Sequence, residues 1–204
     1  MTFPTLLARA LVPPAIMVAA AAPSAAAESA DLAKVRAHLG NVESMTANFT
    51  QTDARGRSAA GTLQIKKPGR VRFQYGSGDL LLVANGKTLT FIDYQVGQKS
   101  SWPLGKTPLG VLLSNSPDLK GRAQIMKSDD PRVVVVRARD PVQYGSLTLA
   151  FVRSPSAPGG LMLHGWTAID AQNKRTTVKL SNQRYNVAVP ASAFTYAEPK
   201  KRSG

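Results

Sequence analysis

The chain has 204 residues and no cysteine, and its 26 Lys and Arg against 12 Asp and Glu give a formal net charge of +14. Without cysteine there are no structural disulfides, no Cys-based metal sites and no N-terminal lipid carried on a cysteine. The basic balance invites an anionic partner, nucleic acid among them.

Residues 1–27 read as a secretory signal: Arg9 gives a weakly positive start, Ala15–Ala22 is apolar, and Ala25-Ala26-Ala27 offers a cleavage site before Glu28. Pro13, Pro14 and Pro23 interrupt the run. What is left is far shorter than the roughly 20 residues that a membrane span requires. Residues 28–204 then form one domain, long enough to bury a core or build a cavity. Over Glu28–Leu39 the spacing of Leu32, Val35, Arg36 and Leu39 predicts a helix, with Ser29 or Asp31 as its N-cap and Gly40 as its stop.

Strands follow. Met45–Thr52 alternates Met45, Ala47, Phe49 and Gln51 against hydroxyl and amide side chains. Gly61–Lys66 and Arg70–Tyr75 flank Lys67-Pro68-Gly69 as an antiparallel hairpin. One of its faces carries Leu63, Ile65, Val71, Phe73 and Tyr75; the other carries Thr62, Gln64, Lys66, Arg70, Arg72 and Gln74. Leu80–Ala84 and Thr88–Asp93 are joined at Asn85-Gly86, a strong two-residue turn, and Lys99–Trp102 is a further short strand.

Pro103–Pro117 breaks this rhythm. Pro108 suits a first helical turn, and Leu109, Leu112 and Leu113 at i, i+3, i+4 predict one short amphipathic helix. Strands resume at Ala123–Lys127, Arg132–Arg139, Ser146–Arg153, Leu161–Asp170 and Thr176–Tyr185, with a final piece near Phe194. About eleven short strands with two helices predict a mainly β fold, a single antiparallel sheet that curls or a barrel.

Chemistry-bearing patterns are sparse. His38 and His164 are the two histidines, and neither belongs to a cluster with metal-ligand spacing. There is no G-x-S-x-G, phosphate loop or dinucleotide fingerprint, so nothing supports an enzyme, a metal or a cofactor. The hairpin interleaves cations with aromatics as single-strand binders do, but export argues against nucleic acid, which is not the expected partner outside the cytoplasm and stays the lesser alternative. The leading readings of the charge are a solvated polar sheet face with a basic tail, and a means of steering toward an anionic membrane surface or acidic partner.

In order along the chain, Phe49-Thr50-Gln51, Gly61-Thr62-Leu63, Lys67-Pro68-Gly69-Arg70-Val71-Arg72-Phe73-Gln74-Tyr75, Asn85-Gly86-Lys87, Thr107-Pro108-Leu109 with Leu112-Leu113, Asp170 and Phe194 resemble the periplasmic lipoprotein carrier family LolA. The run Trp102–Leu109 is similar to its alphaproteobacterial members. The resemblance covers nearly all of residues 28–204. It implies a half-open antiparallel β-barrel with short helices as a lid over a hydrophobic cavity. It also implies a monomeric, non-enzymatic periplasmic chaperone that takes acylated lipoproteins from the LolCDE transporter to LolB or an equivalent outer-membrane acceptor.

The family's cavity wall maps onto Val71, Phe73 and Leu82, and its lid onto Leu109 and Leu112. The alternation itself adds Leu63 and Ile65 to the wall, and the helical spacing adds Leu113 to the lid. For each, ordinary core packing is the alternative. Well-studied members carry an arginine before the hairpin proline, hydrogen-bonded to lid carbonyls; here Lys67 stands there, with Arg70 and Arg72 nearby as substitutes. Gln64 replaces a tryptophan of some members. A related module that binds or senses a lipid or lipopeptide without shuttling it would share these features. A hydrolase would need carboxylates to converge on His164.

Overall fold

Ser29 accepts a hydrogen bond from the Leu32 amide at 3.2 Å and so opens helix α1 (Ala30–Asn41). The computed structural model describes residues 29–76, 78–107, 109–115, 119, 123–139, 145–170 and 172–200. The expected signal segment, Pro108 and the Ser116-Pro117 stop lie outside them. Helix α1 runs through Gly40 rather than stopping there, because the Val42 amide still reaches the His38 carbonyl at 3.1 Å. Its inward stripe is Val35, His38 and Leu39, whereas Arg36 is exposed.

The strands are β1 (Ser44–Thr52), β2 (Ser58–Lys66), β3 (Arg70–Tyr75), β4 (Leu80–Asn85), β5 (Thr88–Asp93) and β6 (Gln98–Pro103). After the short helix α2 (Leu109–Leu113) come β7 (Ala123–Met126), β8 (Val133–Arg139), β9 (Ser146–Arg153), β10 (Leu161–Ile169) and β11 (Arg175–Tyr185). The expected last strand near Phe194 is instead a 3-10 turn, Ala191–Phe194. Pro190 precedes it, and the Ala193 amide bonds the Pro190 carbonyl at 3.1 Å, closing the chain into a turn where a strand would need a neighbour.

All eleven strands form one sheet in the order β6-β5-β4-β3-β2-β1-β11-β10-β9-β8-β7. Every pairing is antiparallel, and β1 with β11 ties the two ends of the chain together. The sheet is unclosed: β6 and β7 are its two edges. It is also strongly curled. β3 and β10 lie four strands apart in this order, about 19 Å along a flat sheet, yet the rings of Phe73 and Trp166 come within 6.1 Å.

Curling separates two apolar clusters. The larger lies on the inner face and takes in all but a few of the buried apolar residues, with Val35 and Leu39 of α1 closing one side. The smaller lies on the outer face of β4 and β5, where Leu81, Val83 and Ile92 meet Val189 and Phe194 of the C-terminal tail. Where β10 bulges between Leu163 and Gly165, side chains of β11 replace the ladder. The Leu163 amide donates to the Tyr185 hydroxyl and its carbonyl accepts from Gln183 Nε2, both at 2.9 Å.

Candidate functional site

The inner face of β1–β4 is built by period-two alternation. In register, Leu63 faces Phe73 and Ile65 faces Val71; Phe73 in turn faces Leu82. Leu63, Ile65, Val71 and Phe73 are all buried, and Leu82 is half-buried against the same cluster. Across this face runs a chain of edge-to-face aromatics: Tyr75 to Phe49 at 5.0 Å, Phe49 to Phe73 at 5.2 Å, and Phe73 to Trp166. Gly61 sits between Phe49 and Tyr75 in the register. A Cβ there would lie 2.0 Å from the Gln74 carbonyl oxygen and 3.0 Å from the Phe49 ring, so the aromatic pair closes only over glycine.

One polar pair enters this wall. The Tyr75 hydroxyl donates to Gln51 Oε1 at 2.9 Å, and burial pushes the phenol up to about 12. The phenol is therefore neutral at physiological pH, and its hydrogen bond satisfies a group that would otherwise be costly to bury.

The cover comes from the segment joining the two free edges. Leu104, Leu112, Leu113 and Leu119 are buried in the inner cluster, and Leu109 packs half-buried against it. Each buried leucine contributes about 1.5–3 kcal/mol to holding the segment down. A helix of five residues has little hydrogen-bonded structure of its own, so those contacts, rather than helix propensity, keep it in place.

The family model described as outer membrane lipoprotein carrier protein LolA matches residues 40–197. The chain belongs to the LolA family. A protein of Chromobacterium violaceum named outer-membrane lipoprotein carrier protein is 26% identical, over 97% of this chain and 94% of its own length. One of the same name from Leptothrix cholodnii is 26% identical, over 91% and 90%. A solved LolA superfamily structure from Nitrosomonas europaea matches with a TM-score of 0.45 and 13% identity, over 83% of this chain and 99% of that one.

Against this LolA-family frame, the three cations near the hairpin turn divide. Lys67 Nζ donates to the Leu39 carbonyl in the last turn of α1. Desolvation lowers its pKa to about 8. Helix α2 is met two residues on, by backbone: the Gly69 amide donates to the Leu113 carbonyl at 2.9 Å. Gly69 has φ +70, and a Cβ there would stand 2.5 Å from the Gly86 carbonyl oxygen, so this approach also requires glycine. The turn thus touches α1 through a side chain and α2 through the main chain. Arg70 and Arg72 alternate onto the outer face. There Arg72 Nη1 donates to the tail carbonyls of Ala193 (3.3 Å) and Thr195 (3.0 Å).

The sequence expectations omitted Phe49, Trp166, Val35 and Leu39 from this site. Phe49 was legible in the alternation of β1. Trp166 was not, because only the curl of the sheet brings β10 opposite β3. His38 is buried against the rings of Phe151 (5.1 Å) and Tyr185 (5.3 Å), its Nδ1 donating to the Pro158 carbonyl at 2.9 Å. Its pKa is lowered by burial. His164 is exposed. No group of three His, Cys, Asp or Glu among the described residues is placed to hold a metal ion.

Proposed function

We propose that this chain is a periplasmic carrier. Exported by its first 27 residues, it accepts acylated lipoproteins released by the LolCDE transporter and delivers them to LolB, or an equivalent acceptor, at the outer membrane. The observation that supports this most is the placement of the leucine-bearing segment, which joins both free edges of a curled sheet and lays its leucines on an apolar inner face. Moving that segment aside exposes a concave apolar wall in one step. The two carrier-named relatives agree with this reading.

Such a wall answers a definite cost. An acyl chain loses about 0.8 kcal/mol per methylene on leaving a bilayer, so a chain of about 16 carbons loses roughly 12 kcal/mol. The wall of Leu63, Ile65, Val71, Phe73 and Leu82 offsets much of that once Leu109, Leu112 and Leu113 withdraw. The same leucines then compete with cargo for the wall, which limits affinity and permits release. This mechanism uses no catalytic group and no cofactor.

The test is release of a lipoprotein from vesicles holding the transporter and ATP. The expected result is a soluble complex of carrier and cargo, transferable to acceptor. Val71→Glu should either abolish that complex or trap it, and normal transfer by this variant would remove the hairpin from the mechanism. No release at all, with tight binding of one small lipid, would favour a sensing module instead.

A further inference from the structure

We propose that the outer face of β11, with the rows of β10 and β1 beside it, docks on a membrane surface of anionic phospholipids. The argument begins with where charge stands in the fold. Among the eleven strands the one carboxylate is Asp93, whereas Lys66, Arg70, Arg72, Arg175, Lys179 and Arg184 are all strand residues. Among the described residues the other acids stand in turns, loops, α1 and the tail, where Glu198 pairs with Lys99, so the strand side chains of the outer face bring charge of one sign. Part of that charge is already used: Lys66 and Arg72 hold tail carbonyls. Arg175, Lys179 and Arg184 are exposed and take part in none of the ion pairs among the described residues.

These three lie along the longest strand, β11. At about 3.3 Å per residue they span about 30 Å. Across the ladder Lys179 faces Gly165 on one side and Thr50 on the other, Arg175 faces Ile169, and Arg184 faces Thr46. Two hydroxyl pairs lie in the next row, Thr167 with Thr177 at 3.1 Å and Thr52 with Ser58 at 3.0 Å. Around Lys179 and Arg184 the surface is therefore made of small and hydroxyl-bearing side chains, with half-buried Ile169 beside Arg175, and three long cations project from it.

That composition decides the kind of partner. A specific protein interface is anchored by buried aromatic or large apolar residues at its centre. The exposed large hydrophobics of the described residues, Val96 and Trp102, belong to the β5–β6 turn and β6, at the far edge of the sheet. A plane of phosphate headgroups needs no such anchor: each Lys or Arg held near it adds its own electrostatic attraction. Hydroxyls and small residues let the phosphates approach. Such contact is reversible and sensitive to salt.

This goes beyond the carrier reading, and its assay contains no lipoprotein, so the two fail separately. Purified protein is sedimented with phosphatidylcholine vesicles, with or without about one third phosphatidylglycerol. Binding is expected only with phosphatidylglycerol, at low ionic strength, and is lost by about 0.5 M salt. Each cation contributes about fivefold, so combining Arg175→Gln, Lys179→Gln and Arg184→Gln should weaken partitioning about a hundredfold. Combining Lys34→Gln, Lys87→Gln and Lys106→Gln removes the same charge from exposed positions elsewhere and should change it less than about threefold. Equal losses in the two triples would assign the attraction to net charge and overturn the face. No binding to phosphatidylglycerol at low salt would overturn the membrane, and capture by immobilised polyglutamate in that case would point to an acidic protein.

Discussion

The same sheet is covered on both sides, but by different means. On the outer side the C-terminal tail lies on Leu81, Val83 and Ile92 and is tied down along its length. Ser44 Oγ donates to Val187 O, Lys66 Nζ to Val189 O and Tyr94 OH to Ala197 O, Arg72 reaches Ala193 O and Thr195 O, and Lys99 pairs with Glu198. On the inner side the described residues of α2 lie on a much larger apolar surface, and the Leu113 carbonyl is met by the Gly69 amide. The Gly69 bond fixes one point of α2, and the Leu104 amide, bonded to the Lys87 carbonyl at 2.7 Å, fixes the start of the segment. Its leucines are held by apolar contact, which has no direction of its own. A cover tied along its length leaves only by breaking those bonds; one held largely by apolar contact can give way to another apolar body that replaces the contacts.

The largest expected effect separates the covers directly. Phe194→Ala should cost about 3–5 kcal/mol in urea unfolding, because the tail cannot leave without breaking its other ties. Leu112→Ala removes a comparably buried group, and packing alone would assign it about 2–5 kcal/mol. A lid that opens locally limits its own contribution, however. Once the closed state is weakened past the cost of opening, the native state is simply the open one. The loss should therefore stop below about 2 kcal/mol. Equal losses at the two positions would mean that the lid is as fixed as the tail. Hydrogen exchange tests the same point: the Gly69 amide should exchange through a low-energy opening that urea hardly affects, while amides of β10 and β11 wait for global unfolding.

How much of this was legible follows from what each cover depends on. Alternation in β2 and β3 put Leu63, Ile65, Val71 and Phe73 on one face without a structure, since a one-residue slip would have exposed them all. The spacing of Leu109, Leu112 and Leu113 likewise marked the short helix. The tail was misread. Phe194 looked like part of a last strand because a lone buried aromatic has no period, and only its place in the outer-face cluster with Leu81, Val83 and Ile92 explains it. Trp166 was missed for a related reason, as curvature is a property of the whole sheet and leaves no local mark. Lys67, Arg70 and Arg72 were all latch candidates; strand parity, carried past the turn, puts Arg70 and Arg72 on the outer face, where Arg72 meets the tail.

A smaller effect should follow from cutting one tie on the tail. Arg72→Met keeps the apolar stem and removes the fork that Ala193 and Thr195 accept from. Charged hydrogen bonds contribute about 1.5–3 kcal/mol when buried, and partial exposure here brings the expected loss to about 1–2 kcal/mol. The protease sensitivity of residues 190–200 should rise, while that of the lid stays unchanged. A lid that also became sensitive would mean that the two covers are coupled.

The smallest effect lies on the lid side and is read by pH. Lys67 keeps its ammonium against the Leu39 carbonyl in a half-buried place, and desolvation holds its pKa at about 8, below the ordinary value of 10.5. Between those values the unfolded chain binds more protons than the folded one, so stability should rise as pH climbs from about 8 toward 10.5. With screening of the exposed part, the gain is about 1 kcal/mol. Tyr75 acts in the opposite sense. Its phenol is raised to about 12, so above pH 10 the folded state holds the extra proton and stability falls; Tyr185, also raised by burial, adds to the fall. Urea midpoints should therefore pass through a maximum near pH 10. Lys67→Met should flatten the rising limb and leave the falling limb intact. A rising limb that survives in Lys67→Met would show that another group is responsible and that the Lys67 ammonium is as well solvated in the fold as outside it.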